Sequence, residues 1–403
     1  VQRDGSGKIV VCYMTLPAKL PTGVYGITEL QAPEGYVQNG WEQSLKDTGG
    51  DGLNAYEVTD TPSDPVQFIL DNHSVYPDGQ MGEHKYTLVD SYGNITCTVL
   101  QDNQEQKGIL ELVKYGEQLY GASDSGSSLS EKLDASYFRR IWREDPYKTK
   151  DYIFDYRDAP IEGAVFEVYA AEDIYTQELD KDLLGEYGVD ISDYLVWEKD
   201  QKVGEITTDR TGYAYLADLY IGKYYVKETR AGEGFVLNPE IQPFEITPQD
   251  QEVSFVWTAS IWENQRQKIR LEAVKQDVET GEALEGAVYG LYNEEDIYSQ
   301  VKVNPDPSVP DWRHVDLSFD FVPDEEGRLL IPANTLIATA VTDANGRAVF
   351  DEDLPLGEYY VKELEAPVGY TSSEQTEHID GVYQGQETEV QDHTGLLFRN
   401  RAS

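Results

Sequence analysis

The feature that most constrains this chain is that it repeats itself. Gly163-Ala164-Val165-Phe166-Glu167-Val168-Tyr169, leading to Glu172-Asp173-Ile174-Tyr175, recurs as Gly286-Ala287-Val288-Tyr289-Gly290-Leu291-Tyr292, leading to Glu295-Asp296-Ile297-Tyr298. A second block, Thr208-Asp209-Arg210-Thr211-Gly212-Tyr213, parallels Thr342-Asp343-Ala344-Asn345-Gly346-Arg347 and reads as a Gly-containing turn between strands. A third, Gly222-Lys223-Tyr224-Tyr225-Val226-Lys227-Glu228, matches Gly357-Glu358-Tyr359-Tyr360-Val361-Lys362-Glu363, with a weaker copy at Gly23-Val24-Tyr25-Gly26-Ile27-Thr28-Glu29. Turns follow at Ala32-Pro33-Glu34-Gly35-Tyr36, Ala231-Gly232-Glu233-Gly234-Phe235 and Ala366-Pro367-Val368-Gly369-Tyr370.

The copies also share their junctions. Gln106-Lys107-Gly108-Ile109-Leu110-Glu111-Leu112-Val113-Lys114 aligns with Gln267-Lys268-Ile269-Arg270-Leu271-Glu272-Ala273-Val274-Lys275, and Asn103, Asn264 and Asn400 stand at equivalent ends. The repeat therefore divides the chain at about 1–104, 105–265 and 266–403, within the two to four domains that 403 residues suggest. The first unit starts at its Asp4-Gly5-Ser6-Gly7 turn, so its opening strands, and any export or anchoring signal, are expected outside this sequence. No run of about 20 apolar residues and no basic-then-apolar leader is present. Short Tyr/Val/Ile-rich runs between Gly and Pro turns indicate all-β, antiparallel Greek-key sandwiches. Long inserts at about 116–157 and 299–335 interrupt the pattern, the first with room for a short helix over Ser130-Glu131-Lys132-Leu133-Asp134.

Charge narrows the function. A formal net charge of -43 repels nucleic acid and anionic lipid, while 29 Tyr, 6 Trp and 11 Phe supply the cores that a disordered acidic chain lacks. Two cysteines make no disulfide framework; Cys12 and Cys97 either pair in an exported protein or remain separate buried thiols.

The Tyr-Tyr-Val-Lys-Glu runs followed by Ala-Pro-x-Gly-Tyr resemble the Cna B-type domains of Gram-positive adhesins and SpaA-type pilin-like proteins, and the resemblance covers nearly the whole chain. It implies tandem immunoglobulin-like, prealbumin-like sandwiches in an elongated array. It also implies autocatalytic bonds from Lys114 to Asn264, assisted by Glu228, and from Lys275 to Asn400, assisted by Glu363. The first unit keeps Glu29 and Asn103 but not the strand that supplies the lysine. Strand periodicity points the same way, because residues two apart share a face. Leu110, Leu112 and Lys114 lie on one side, as do Leu271, Ala273 and Lys275; Tyr224, Val226 and Glu228, Tyr359, Val361 and Glu363, and Tyr25, Ile27 and Glu29 do likewise. Low dielectric favours a neutral, nucleophilic lysine beside a neutral carboxylic acid, which suits amide formation with release of ammonia.

The function expected is a structural stalk on the bacterial cell wall, cross-linked once per domain rather than turning over substrate. The alternative is an adhesin whose inserts bind a host protein or glycan, with Tyr137, Arg139, Arg140 and Trp142 as the candidate patch. Other surface or pilus subunits are expected partners, without nucleic acid, membrane insertion, cofactor or zinc. Four weaker signals are set aside. Leu20-Pro21-Thr22-Gly23 lacks the residue a sorting signal needs, Tyr76-Pro77-Asp78 lacks the lysine of a pilin motif, and Thr96-Cys97-Thr98 has no partnered Gln marking a thioester. Pro323-Asp324-Glu325-Glu326-Gly327 reads as a solvated turn or a calcium loop.

Overall fold

A computed structural model describes residues 20–21, 23–70, 101–124, 151–176, 191–300 and 327–403, with backbone strand segments at 2–3, 9–11, 85–89 and 95–99. Its described secondary structure is strand apart from two single 3₁₀ turns, as the short apolar runs require. Two sandwiches of the same design follow one another.

In the middle sandwich the opening strand, Lys107–Ser123, lies between an antiparallel partner, Tyr213–Leu219, and the closing strand, Phe255–Asn264. The closing strand runs parallel to it, so the whole domain serves as the crossover between them. The facing sheet is antiparallel throughout, in the order Lys202–Thr207, Val165–Ala170, Gly222–Arg230, Ile241–Ile246. Pro243, which has no N–H for a ladder, sits in the edge strand. Alternate residues of both sheets, including Leu110, Leu112, Phe166, Val168, Tyr224, Val226 and Trp262, fill the space between them.

The third sandwich repeats the plan. Its opening strand, Lys268–Asp277, pairs parallel with the closing strand Val390–Asn400 and antiparallel with Arg347–Phe350. The facing order is Leu336–Val341, Val288–Asn293, Gly357–Glu365, Thr376–Gly381. The first segment is described as three separate antiparallel pairs: Gly23–Ile27 with Val66–Leu70, Gln43–Asp47 with Tyr56–Asp60, and Lys85–Val89 with Ile95–Val99.

Strand continues into both inserts. The opening strand of the middle sandwich continues to Ser123 and pairs with Ile153–Pro160, so both ends of the span 116–157 are ladder. This hairpin reaches the third sandwich. Leu119, fully buried, and Phe154 belong to that sandwich's core, Tyr152 N donates to Ile337 O at 2.8 Å, and Thr339 N donates to the Asp151 carboxylate at 2.9 Å. Arg266 lies at the joint, buried, its guanidinium 3.7 Å from the Tyr156 ring centre and paired with Asp353. The span 299–335 likewise ends in strand, Leu329–Ile331, which pairs with Ile297–Tyr298. Residues 130–134 and 323–326 lie outside the described residues.

Candidate functional site

Each complete sandwich brings one lysine, one asparagine and one glutamate together at a corner of its core. Lys114 ends the inward stripe Leu110-Leu112-Lys114 of its opening strand. In the parallel ladder it stands opposite Trp262, and Asn264, two residues on, falls on the same inward face. Lys275 stands opposite Phe398 with Asn400 two residues on, so the register is the same in both domains. The glutamates arrive from the facing sheet, Glu228 after Tyr224 and Val226, Glu363 after Tyr359 and Val361.

The side chains interlock. Lys114 Nζ donates to Asn264 Oδ1 and lies 3.0 Å from Glu228 Oε1, while Asn264 Nδ2 donates to both oxygens of Glu228 at 2.9 Å. In the third domain Lys275 Nζ donates to Asn400 Oδ1 at 2.5 Å and lies 2.8 Å from Glu363 Oε1; Asn400 Nδ2 donates to Glu363 at 2.8 and 3.0 Å. Lysine and glutamate side chains are 0% exposed at both sites, which isolates the contacts from water. Burial strips hydration from each ammonium. It pushes Lys114 down to about 8 and Lys275 below the usual lysine range, although the facing carboxylates act in the opposite direction.

Local structure explains the placement. Lys114 N donates to Gly212 O, and Lys275 N to Gly346 O, each at 2.7 Å. Both glycines, at φ 71° and 75°, press against the carbonyl of the same lysine, where a Cβ would collide. The turn glycines legible in the repeat therefore clamp the two buried lysines. Aromatic rings close the site: Phe166 and Trp262 lie 5.6 and 5.7 Å from Lys114 Nζ, and Tyr289 lies 5.8 Å from Lys275 Nζ. Sequence reasoning did not assign these rings a role. Their signal was present, since Phe166 and Tyr289 are equivalent in the first repeat block, and Trp262 and Phe398 each precede the asparagine by two.

In the first segment the structure joins Glu29 and Asn103. Asn103 Nδ2 donates to Glu29 Oε2 at 2.7 Å, to Val37 O at 2.9 Å and to Asn39 Oδ1 at 2.9 Å. Both residues are half-buried, and among the described residues no lysine joins them. Burial alternates through this run, with Tyr25, Ile27 and Glu29 half-buried and Gly26 and Thr28 exposed between them. The strand itself ends at Ile27, two residues short of Glu29. One anchor is common to all three glutamates. The backbone N–H ten residues on donates to Oε2: Asn39 to Glu29 at 3.0 Å, Asn238 to Glu228 at 2.7 Å, and Ser373 to Glu363 at 2.7 Å.

The remaining candidates are not brought into this geometry. Tyr137, Arg139, Arg140, Trp142 and Cys12 lie outside the described residues, and Cys97 falls in the strand Ile95–Val99. Among the described residues, no group of His, Cys, Asp and Glu could hold a metal ion, and no helix is long and apolar enough to cross a membrane.

Solved structures resemble the chain at low identity and low TM-score. The Bacillus anthracis TIE protein is 17% identical over 94% of this chain and 51% of that one, with a TM-score of 0.39; the chain thus spans about half of its length. A Streptococcal ancillary pilin is 14% identical over 95% of this chain and 76% of that one, at 0.23. The shaft pilin of Lactobacillus rhamnosus GG is 16% identical over 74% and 98%, at 0.22. No curated protein matches the chain. A family model described as SpaA, prealbumin-like fold domain, matches twice, over residues 154–260 and 269–393. With two such units covering more than half of its length, the chain belongs to the SpaA prealbumin-like domain family.

Proposed function

We propose that this chain is a structural stalk of a Gram-positive cell-wall surface or pilus-like protein, built from units at 1–104, 105–265 and 266–403 and stiffened by Lys114–Asn264 and Lys275–Asn400 isopeptide bonds. The observation that carries the reading is that two fully buried Lys-Asn-Glu sets recur in one register, each joining an opening strand to its parallel closing strand. A lone buried lysine facing a glutamate is an ordinary ion pair. The same trio with the asparagine carboxamide inserted twice is a reaction geometry.

The chemistry follows from the contacts. Neutral Lys114 Nζ attacks Asn264 Cγ, forming the new C–N bond. Glu228, in reach of both nitrogens, takes a proton from Nζ and delivers it to Nδ2, and the Cγ–Nδ2 bond breaks with loss of ammonia. Lys275, Asn400 and Glu363 act alike. Positioning is the main contribution, since the groups are held within reach and away from water. Each set reacts once and consumes its own side chains, so the domain is its own product and no substrate turns over.

Each bond closes a loop spanning 150 or 125 residues of sequence. In the chain-entropy description, a cross-link of that span stabilises the fold by about 5 kcal/mol. The proposed partners are neighbouring subunits of the same surface structure.

The test is the intact mass of the denatured, reduced chain. Two ammonia masses missing, with Lys114–Asn264 and Lys275–Asn400 joined in peptide maps, is the expected result. A mass equal to that of the sequence overturns the reading.

A further inference from the structure

The loop that positions Glu228 is held in place by the following domain. Glu228 is anchored by the Asn238 N–H, so the turn 229–238 governs where its carboxylate sits. Gln386, from the loop before the third domain's closing strand, staples both ends of this turn. Its Oε1 accepts from Ala231 N at 2.9 Å, its Nε2 donates to Thr229 O at 3.3 Å, and its backbone carbonyl accepts from Leu237 N at 2.9 Å. Tyr383 OH adds a bond to Phe235 O at 3.2 Å. The staple thus flanks Glu228 on one side and its anchor Asn238 on the other.

The arrangement is repeated rather than accidental. At the preceding joint, Gln251 Oε1 accepts from Ala32 N at 2.6 Å and Gln251 O accepts from Gln38 N at 2.8 Å, adjacent to Asn39, the anchor of Glu29. Ala32 and Ala231 are equivalent in the repeat, and Gln251 and Gln386 each lie four residues before a closing strand.

The middle turn has the greatest need of a staple. The other two turns carry Pro33 and Pro367, whose fixed φ orders them in advance. At the same place the middle turn has Gly232, where any Cβ would run into Ile161, so proline is excluded and the backbone is left with more freedom to lose. A contact from outside the domain supplies the order that the turn's own residues do not.

We propose that Gln386 is a positioning residue for the Lys114–Asn264 bond, so that cross-linking of the middle domain depends on the third domain being folded and docked. The inference rests on the isopeptide reading above. It sets an order of events opposite to the order of synthesis, in which the third domain, its core completed by the hairpin of Leu119 and Phe154, forms its bond first and the Lys114–Asn264 bond follows. The bond made is the same Nζ–Cγ amide, with ammonia leaving; Gln386 touches none of the reacting atoms and acts through the backbone that carries Glu228.

The test is a pulse-chase synthesis of the full chain, with samples denatured at intervals and both cross-linked peptides quantified. In Gln386→Leu, formation of Lys114–Asn264 slows about tenfold or more, while Lys275–Asn400 forms at the rate seen in the unaltered chain. Gln386→Glu, which keeps an acceptor for the Ala231 N–H, recovers part of the lost rate. The proposal is overturned if both variants form Lys114–Asn264 at the unaltered rate, or if Gln386→Leu slows both bonds equally, which marks a folding defect. Absence of Lys114–Asn264 from the unaltered chain would instead sink the underlying isopeptide reading.

Discussion

The first segment and the two complete sandwiches hold the same glutamate-asparagine pair in different settings. In all three the glutamate accepts from the backbone ten residues on and from the asparagine amide. In the complete domains a lysine enters the pair and its side chain and the glutamate's lose all contact with solvent; around Glu29 and Asn103 the residues stay half-buried. The glutamate-asparagine pairing therefore comes with the strand-and-turn block, while the lysine comes with the opening strand. A site can be assembled in outline without its lysine.

The sharpest way to break this comparison is to remove the asparagine from each setting. Asn264→Ala is expected to restore one ammonia mass and to lower the stability of its domain by about 5 kcal/mol, the cross-link contribution. Asn103→Ala, which forfeits hydrogen bonds alone, is expected to leave the mass deficit intact and cost about 1 kcal/mol. Calorimetry and intact mass on the same samples decide it; equal losses from the two substitutions would erase the distinction.

A second contrast lies in how the units are attached. The first segment meets the middle domain through polar contacts such as Tyr56 OH with Glu111 and Trp257, whereas the middle and third domains share a core through Leu119 and Phe154. Leu119→Ala should lower the third domain's transition by about 3 kcal/mol, although Leu119 precedes that domain in sequence by some 150 residues. Limited proteolysis that registers no loosening of the third domain would contradict the shared core.

The smallest effect expected is a pH slope. In Asn264→Ala, Lys114 remains an amine whose folded value is about 8 against an ordinary 10.5. Between those values the unfolded chain holds the extra proton, so stability rises as pH increases from about 8 towards 10. The slope should be missing when Lys114→Met is added, and in the unaltered chain, where the nitrogen is an amide. Denaturant midpoints across that range, if flat in Asn264→Ala, would show that Lys114 does not lose its charge early.

Much of the candidate site was legible before the fold. Period-two stripes placed Lys114, Lys275, Glu228 and Glu363 on inward faces, and the repeat supplied Asn264 and Asn400 as equivalents, because strand alternation is a local property. What was not legible depends on contacts distant in sequence: the parallel register that sets asparagine two residues beyond the lysine's partner, the rings of Phe166 and Trp262, and the staple from Gln386. The ladder between 115–123 and 153–160 was not legible either, because it belongs to the insert, and a repeat cannot show what only one copy has.

The hairpin that carries Leu119 and Phe154 separates two meanings of a module. By sequence, the repeat ends near the junction between Asn264 and Lys268, and a recombination event there would appear to deliver a self-sufficient domain. Such a graft would arrive with its core open on one side and the partner ladder at Ile337 and Thr339 bare. For this chain the smallest transferable piece is therefore the pair of sandwiches, and a swap at the internal boundary would cost stability however well the strands on either side align.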